Sequence, residues 1–520
     1  MISGVTAPRV TDLSDFERRL VESAREGELL GAAQIDVAEL AETESPDHLV
    51  RAEVLRDLLL GRHGELDPRG IMLKLARVTG KLNLDGATAT AGLMLFTCVF
   101  DQPVLARQAR LPHLYLIGGR LPGLDASQVR IEGGLHLSDG VRITGNSPNG
   151  AIRLIGAHIG GNLQCRDAEI SNPAGFALEA SSAELGNGLY LHQGTRITGS
   201  SADGAIRLNA ARIGGPLECQ SITVFNDRGP AVEAENLTVG RSVLIRDSKL
   251  SGNGEIGAVR LQGAQIGGQL QFSATTRVTS PEGRLLGLSD AKATTVFLPD
   301  GLVCPDGSSS PECAHTELVW LDEFTYAAID PAFGWRRWLH LLRCHTEYYD
   351  ATGYQKLAAV ERTAGHDGNV RAILIAQQDD LRRRAPEALG GRMSRLFHWL
   401  WGALAGYGYR ARRTAAALLL ALVAAGVLGL WAGATETRPG HHAAERVATG
   451  AACSPVELIG LGLDRGLPIA PTGLRSRCDL DTASVPGQVF TAAIWGVQVA
   501  VWGLATLALA GYTNLVRKTG

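Results

Sequence analysis

Between residues 150 and 272 one short pattern is written five times, and that recurrence restricts the fold more than any other feature of the chain. Ala151-Ile152-Arg153-Leu154 leads to Ile159-Gly160-Gly161-Asn162-Leu163-Gln164-Cys165. Ala205-Ile206-Arg207-Leu208 leads to Ile213-Gly214-Gly215-Pro216-Leu217-Glu218-Cys219, and Ala258-Val259-Arg260-Leu261 to Ile266-Gly267-Gly268-Gln269-Leu270-Gln271-Phe272. Weaker copies start at Ala177 and Ala231 and run to Leu191 and Ile245. The starts at 151, 177, 205, 231 and 258 set a period of 26 to 28 residues, as expected of a chain that stacks one structural unit on the next. Within each copy apolar and polar residues alternate over short runs, which is a strand period and not a helical one. Paired glycines mark the bends. Three short strands and three bends use up one period. The expected fold is therefore mainly β: a right-handed parallel β-helix, or solenoid, whose strands pair at about 4.7–4.9 Å from one turn to the next.

Stacking would place equivalent residues in columns. The third position of each copy reads Arg153, Glu179, Arg207, Glu233, Arg260, an alternation of sign in which neighbours attract. The ladder is expected to face water, where each contact contributes about 0–1 kcal/mol. Its use would be register, since a slipped copy sets like charge against like. A second column, Cys165, Leu191, Cys219, Ile245 and Phe272, is expected to point inward, with the two thiols packing as small apolar groups.

The 520 residues include 63 glycines and carry a net charge of -3, which suits tight-cornered strands and supplies no basic field for nucleic acid. Residues 1–18 hold no apolar run, so no signal peptide is expected there. The repeats should then lie in the cytoplasm and keep their cysteines as thiols. Residues 1–69 read as an N-terminal helical cap over the open end of the stack, with a charged segment at Asp15–Glu26 and an amphipathic one at 49–60. Residues 70–278 form the parallel β-helix, with degenerate early copies around Val78-Thr79-Gly80 and Ile131-Glu132-Gly133-Gly134. Residues 279–320, rich in Gly, Pro and Ser, read as a loop or C-terminal cap. Residues 321–390 read as a helical hairpin that ends in Arg382-Arg383-Arg384, where cations suit the helix dipole.

Residues 391–413 mix Leu396, Phe397, Trp399, Leu400 and Trp401 with Arg392, Arg395 and His398, an amphipathic composition suited to a membrane interface. Two transmembrane helices are predicted, at 414–434 and 488–512, each about as long as the apolar core of a bilayer requires. Arg410, Arg412 and Arg413 precede the first, and Arg517 and Lys518 follow the second. This places both termini, including the tail 513–520, in the cytoplasm and the loop 435–487 outside. In that oxidising space Cys453 and Cys478 could form a disulfide. Gln498 in the second helix could bond to another span and support a homo-oligomer.

Three further stretches carry a family likeness. They are Tyr354-Gln355-Lys356-Leu357-Ala358 followed by Ala372-Ile373-Leu374-Ile375-Ala376-Gln377-Gln378, then Gly406-Tyr407-Gly408-Tyr409-Arg410, and the closing Leu504-Ala505-Thr506-Leu507-Ala508-Leu509-Ala510-Gly511-Tyr512-Thr513-Asn514-Leu515-Val516. With these and the repeats, the chain past residue 45 resembles bacterial membrane proteins that join a pentapeptide-like or β-helical cytoplasmic domain to a C-terminal pair of spans. It is most similar to the actinobacterial family labelled membrane-associated oxidoreductase. The resemblance implies a bacterial plasma-membrane location and a redox activity. It brings no catalytic residues that map onto this chain, which also has no five-residue repeats.

No cofactor motif accompanies that label. Gly252-Asn253-Gly254-Glu255-Ile256-Gly257 has the spacing of a dinucleotide fingerprint but is followed by a strand-type run where the fingerprint needs a helix. It reads as a corner between strands. Asp139, Glu184 and Glu218 show no pair facing across a bond, as glycoside chemistry would need. His136 and His192 show no recurring ligand spacing, since Tyr190 and Glu218 stand where His136 does in other copies. His441-His442 offers a weak metal contact, and Gly460-Leu461-Gly462-Leu463-Asp464 is unlike a carbonyl filter. No catalytic, cofactor-binding or metal-binding residue is assigned on this basis. The functional expectation is a membrane-anchored, non-catalytic scaffold presenting its strand ladders to a protein partner. The alternatives are an oxidoreductase and a two-span channel or transporter component.

Overall fold

The computed structural model describes residues 10–255, 257–304, 313–331, 333–467 and 476–517. The chain divides into two compact units, Met1–His366 and Asp367–Gly520.

The first unit opens with α1 (Asp15–Glu26), α2 (Val37–Glu42) and α3 (Ala52–Leu59). Ser14 caps α1 by accepting from the Glu17 backbone N–H, while the Glu17 carboxylate accepts from the Ser14 N–H, which satisfies two donors the helix cannot use internally. From there to Ile329 the unit is built of short strands in three sheets, of nineteen, ten and nine strands among the described residues. Pairing in these sheets is parallel, and it joins each strand to its counterpart one repeat away. Leu163–Arg166 lies between Leu135–Ser138 and Leu189–His192 in the first sheet. Glu169–Asn172 lies between Arg142–Thr144 and Arg196–Gly199 in the second. Leu178–Glu179 lies between Ile152–Arg153 and Ile206–Arg207 in the third.

This register aligns a continuous apolar column. Leu30, Leu73, Leu95, Leu116, Leu137, Cys165, Leu191, Cys219, Ile245 and Phe272 are matched in turn, and all are buried. The alternation that points them inward leaves Gln164, Tyr190 and Glu218, one residue earlier in each strand, partly exposed. The corners recur as well. Ser182, Ala210 and Asn236 adopt positive φ of 55–56°, a conformation that costs a residue with a Cβ about 1–2 kcal/mol. Each donates its N–H to the next repeat, to Asn209, Glu235 and Gln262 carbonyls at 2.7–2.8 Å.

The parallel stack runs past both ends of the stretch 70–278. Before it, Leu29–Gly31 pairs with Ile71–Lys74 and Leu49–Arg51 with Arg77–Thr79. After it, Arg284–Gly287, Lys292–Phe297, Leu318–Trp320 and Thr325–Ile329 continue the third and first sheets. Lys292–Phe297 and Leu318–Trp320 keep buried positions between more exposed ones, and none of the four late strands carries the glycine pair that marks the central copies. Two helices close the unit, α4 (Trp335–Cys344) and α5 (Ala351–Thr363).

The second unit holds α6 (Asp367–Arg384), α7 (Arg392–Ala405), α8 (Ala411–Ala434), α9 (Pro455–Gly466) and α10 (Val485–Arg517). Arg412–Ala434 in α8 and Val485–Leu509 in α10 are long and apolar enough to cross a membrane. Between them lie antiparallel pairs, Glu436–Arg438 with His441–His442 and Ala444–Arg446 with Cys478–Leu480. Ala432, Ala444, Leu458, Leu461, Leu480 and Ile494 share one small core. The rest of the connecting loop at 468–475, and Lys518 in the tail, lie outside the described residues.

Candidate metal centre

The densest group of metal-ligating side chains among the described residues forms where the strand stack ends. After Lys292–Phe297 the chain makes a short 3-10 turn, Asp300–Leu302, that delivers Cys304. Cys313 precedes Leu318–Trp320, the end strand of the nine-stranded sheet. The other two members come from α4. Trp338 on that helix is fully buried against Tyr326 and Phe333, with ring centroids 5.1 and 6.0 Å apart. This contact fixes the helix against the strand Thr325–Ile329. His340 lies two residues further on, and His345 is the residue that caps the helix C-terminus.

Cys304 Sγ lies 3.0 Å from His345 Nε2, 3.4 Å from His340 Nε2 and 3.3 Å from Cys313 Sγ. The four donor atoms all fall within 4.8 Å of one another. Metal bonds of about 2.3 Å to sulfur and 2.0–2.1 Å to nitrogen at tetrahedral angles give donor separations of about 3.3–3.8 Å, so a single ion fits with small side-chain shifts. His345 is completely buried, and its Nδ1–H donates to the Glu317 carbonyl at 2.7 Å. That bond sets the tautomer and leaves the Nε2 lone pair aimed at the centre of the group. The His345 carbonyl in turn accepts from Val319 N at 2.8 Å, tying the helix end to the last strand.

The electrostatics of this group set it apart from the other thiols. Burial works against ionising Cys313, but the His315 backbone N–H and the Cys304, His315 and His340 side chains outweigh it and bring the thiol down to about 5. Cys98, Cys165 and Cys219 lie in the strand stack, where burial pushes each up to about 12; these are packing groups and poor ligands. Cys453 and Cys478 are joined as a disulfide.

Sequence reasoning missed all four members of the cluster. A search for CxxC pairs passes over them because Cys304 and Cys313 are separated by eight residues. A signal was present in His340 and His345, whose four-residue separation falls within the spacing of metal-ligating histidine pairs.

The residues singled out from the repeats lie elsewhere. Arg153 pairs in register with Glu179, Glu179 with Arg207, Arg207 with Glu233, and Glu233 with Arg260, and Asp125 extends the column by one rung beside Arg153. Ion pairs join Arg153 to Asp125 at 3.5 Å, Arg207 to Glu179 at 3.6 Å and Arg260 to Glu233 at 3.0 Å. The expectation that this ladder faces water fails at its acidic members, since Glu179 is 3% and Glu233 4% exposed. The arginine side chains lean along the stack and cover them, Arg207 also lying over the Phe176 ring at 5.4 Å. His136 stacks on Tyr115, His192 pairs with Glu218, and His441 bonds Glu445. The Gly252–Gly257 string has Ile256 outside the described residues and leads into the strand Val259–Arg260.

No family model, curated protein or solved structure matches the chain.

Proposed function

We propose that this protein is a membrane-anchored scaffold whose parallel strands wind as a right-handed parallel β-helix and present repeated polar ladders to a protein partner. The observation that carries the reading is the apolar surface of α8 and α10. Leu419, Leu420, Val423, Val427, Trp431, Val489, Trp495, Val499, Trp502 and Leu509 are all exposed on them. Keeping ten such side chains, about half to three-quarters exposed, in water forgoes about 10–20 kcal/mol of burial, comparable to the whole stability of an ordinary domain at about 5–15 kcal/mol. A bilayer removes that cost. Exposed Met393, Leu396, Phe397 and Trp399 on α7, with Arg392 and Arg395, suit the headgroup layer just before the first span. By the distribution of Arg and Lys the strand stack lies in the cytoplasm and the disulfide-bearing segment outside.

The anchoring is tested by washing membranes from cells expressing the full chain with alkaline carbonate. Retention in the pellet supports it, and release into the supernatant overturns it. The scaffold role is tested by crosslinking in intact cells with the full chain and with a form lacking residues 70–278. A partner captured by the first and lost from the second is the expected outcome.

One observation favours a second reading as a channel component. The backbone of α9 comes against Ala425 and Gly429 of α8 at Gly462 and Leu458, well inside the apolar length of α8. A connecting helix that reaches membrane depth resembles a re-entrant segment. Ion flux into liposomes holding the purified chain would favour this reading over a pure anchor.

A further inference from the structure

We propose that Cys304, Cys313, His340 and His345 bind one Zn²⁺ ion as a closed structural site that fastens α4 to the end of the parallel strand stack. Two thiolates and two imidazoles suit a borderline-soft ion in tetrahedral geometry, for which zinc is the common occupant. All four positions are filled by the protein, whereas a catalytic zinc keeps one open for water or substrate. Cys304 and His345 are buried, while Cys313 and His340 are partly exposed, so the group lies at the edge of the packed end of the stack with two of its ligands reaching solvent.

The geometry separates a single ion from an iron–sulfur cluster. A two-iron cluster with mixed ligands holds its histidines on one iron and its cysteines on the other. Here Cys304 Sγ approaches both imidazole nitrogens and the other sulfur within 3.4 Å, which leaves room for one metal at the centre and none for two with bridging sulfides.

The placement gives the ion a task. Leu318–Trp320 is the end strand of its sheet among the described residues, and an end strand offers its outer edge to any passing strand. The helix terminus meets it through Val319 N to His345 O and through His345 Nδ1 to the Glu317 carbonyl just before the strand. Ligation would hold four points of the chain together there: the turn after Lys292–Phe297, the approach to Leu318–Trp320, the body of α4, and its C-terminus. The cap over the edge would then be a metal-linked knot and not hydrogen bonds alone.

The test uses the full-length chain purified in detergent under reducing conditions. Elemental analysis is expected to find one zinc per chain. After removal by a chelator, Co²⁺ should bind in zinc's place and give the intense visible bands and sulfur-to-metal charge-transfer absorption of a tetrahedral thiolate site. Cys313→Ser and His340→Ala are expected to lower retained zinc at least tenfold, whereas Cys344→Ser, on the same helix but outside the group, retains it. If either ligand variant fails to fold, the Co²⁺ spectrum of the unmodified chain decides the matter alone. Folded protein that takes up neither Zn²⁺ nor Co²⁺, a Cys304–Cys313 disulfide in protein prepared without air, or iron with acid-labile sulfide would each overturn the proposal.

Discussion

Glu17 and Glu233 are both almost fully buried, yet their acidities move in opposite directions. For Glu17, burial raises the pKa, but hydrogen bonds from the Arg51 side chain and backbone and from the Ser14 N–H outweigh it and hold the carboxyl below its ordinary 4.5. The bonds are 2.6–3.0 Å long. For Glu233, burial dominates and raises the pKa, and the neighbouring Arg260 and Arg207 only partly offset it. The consequences for stability differ in sign. Glu17 contributes stability that is present above pH 4.5 and is lost as pH falls through its lower folded value. Glu17→Gln is expected to cost about 2–3 kcal/mol at pH 7, because Arg51 is left with part of its charge uncompensated but can still reach water. That difference should shrink in thermal unfolding scans as pH drops below 4.5. Glu233 behaves the other way: its ionisation becomes a growing penalty as pH rises above 4.5. Glu233→Gln should therefore stay within about 1 kcal/mol of the wild type, and its relative stability should improve from pH 4.5 upward. The alternation of charges along this column can be read from the repeat. Burial of its acidic members cannot, because it depends on how the arginine stems lie along the stack and on the Phe176 ring, which is not in the repeated pattern.

Among the elements, the parallel stack and α8 respond to different kinds of change. A strand of the stack is held by what it contributes to the apolar column, so truncation there should track the size of the side chain removed. Leu191→Ala is expected to cost about 2–5 kcal/mol and Cys165→Ala about 1 kcal/mol, both measured by urea unfolding. In α8 and α9 the sensitive positions are the small ones. A Cβ added at Gly462 would meet the Ala425 carbonyl, and one added at Gly429 would meet that of Leu458. Gly462→Ala should favour an isolated helix by about 1 kcal/mol. A net loss of thermal stability in detergent would therefore come from the crossing with α8, and Gly462→Val should cost at least about 1–3 kcal/mol more. The strand pairing was legible because its period is carried by many residues at once. Three features were not. The late strands Lys292–Phe297 and Thr325–Ile329 have lost the glycine pairs that mark a copy. The α8–α9 crossing rests on single glycines that read equally well as ordinary small residues in an apolar run. The metal-ligating group draws one residue from a turn, one from a strand approach, one from the body of α4 and one from its C-terminus. Its members share no local pattern, and they meet only once the stack has closed beneath α4.

Taken over the whole molecule, cysteine chemistry divides along the chain. Cys304 and Cys313 can serve a metal only in their reduced state, as thiolates, and Cys98, Cys165 and Cys219 are thiols packed in the strand stack. Cys453 and Cys478, between α8 and α10, are bonded to each other. Thiols persist in the cytoplasm, and disulfides form outside it. One chain can hold both states at equilibrium with its surroundings if the two groups are in different compartments. The apolar helices Arg412–Ala434 and Val485–Leu509 that flank the disulfide segment are the means by which a bilayer could keep them apart. This leads to a labelling experiment on intact cells expressing the full chain. Before reduction, a membrane-impermeant thiol reagent should label none of the cysteines. After brief treatment with an impermeant reductant, it should label Cys453 and Cys478 and leave Cys304 and Cys313 untouched. In lysed cells a chelator should expose Cys304 and Cys313 to the same reagent without any reductant. Labelling of Cys304 from outside in intact cells would place the two groups on one side and remove the membrane as the cause of their different states. The Cys453–Cys478 link, closing a loop with a sequence separation of 25, is expected to contribute about 3.5 kcal/mol. Reduction should therefore lower the unfolding temperature of the second unit while leaving that of the strand stack unchanged.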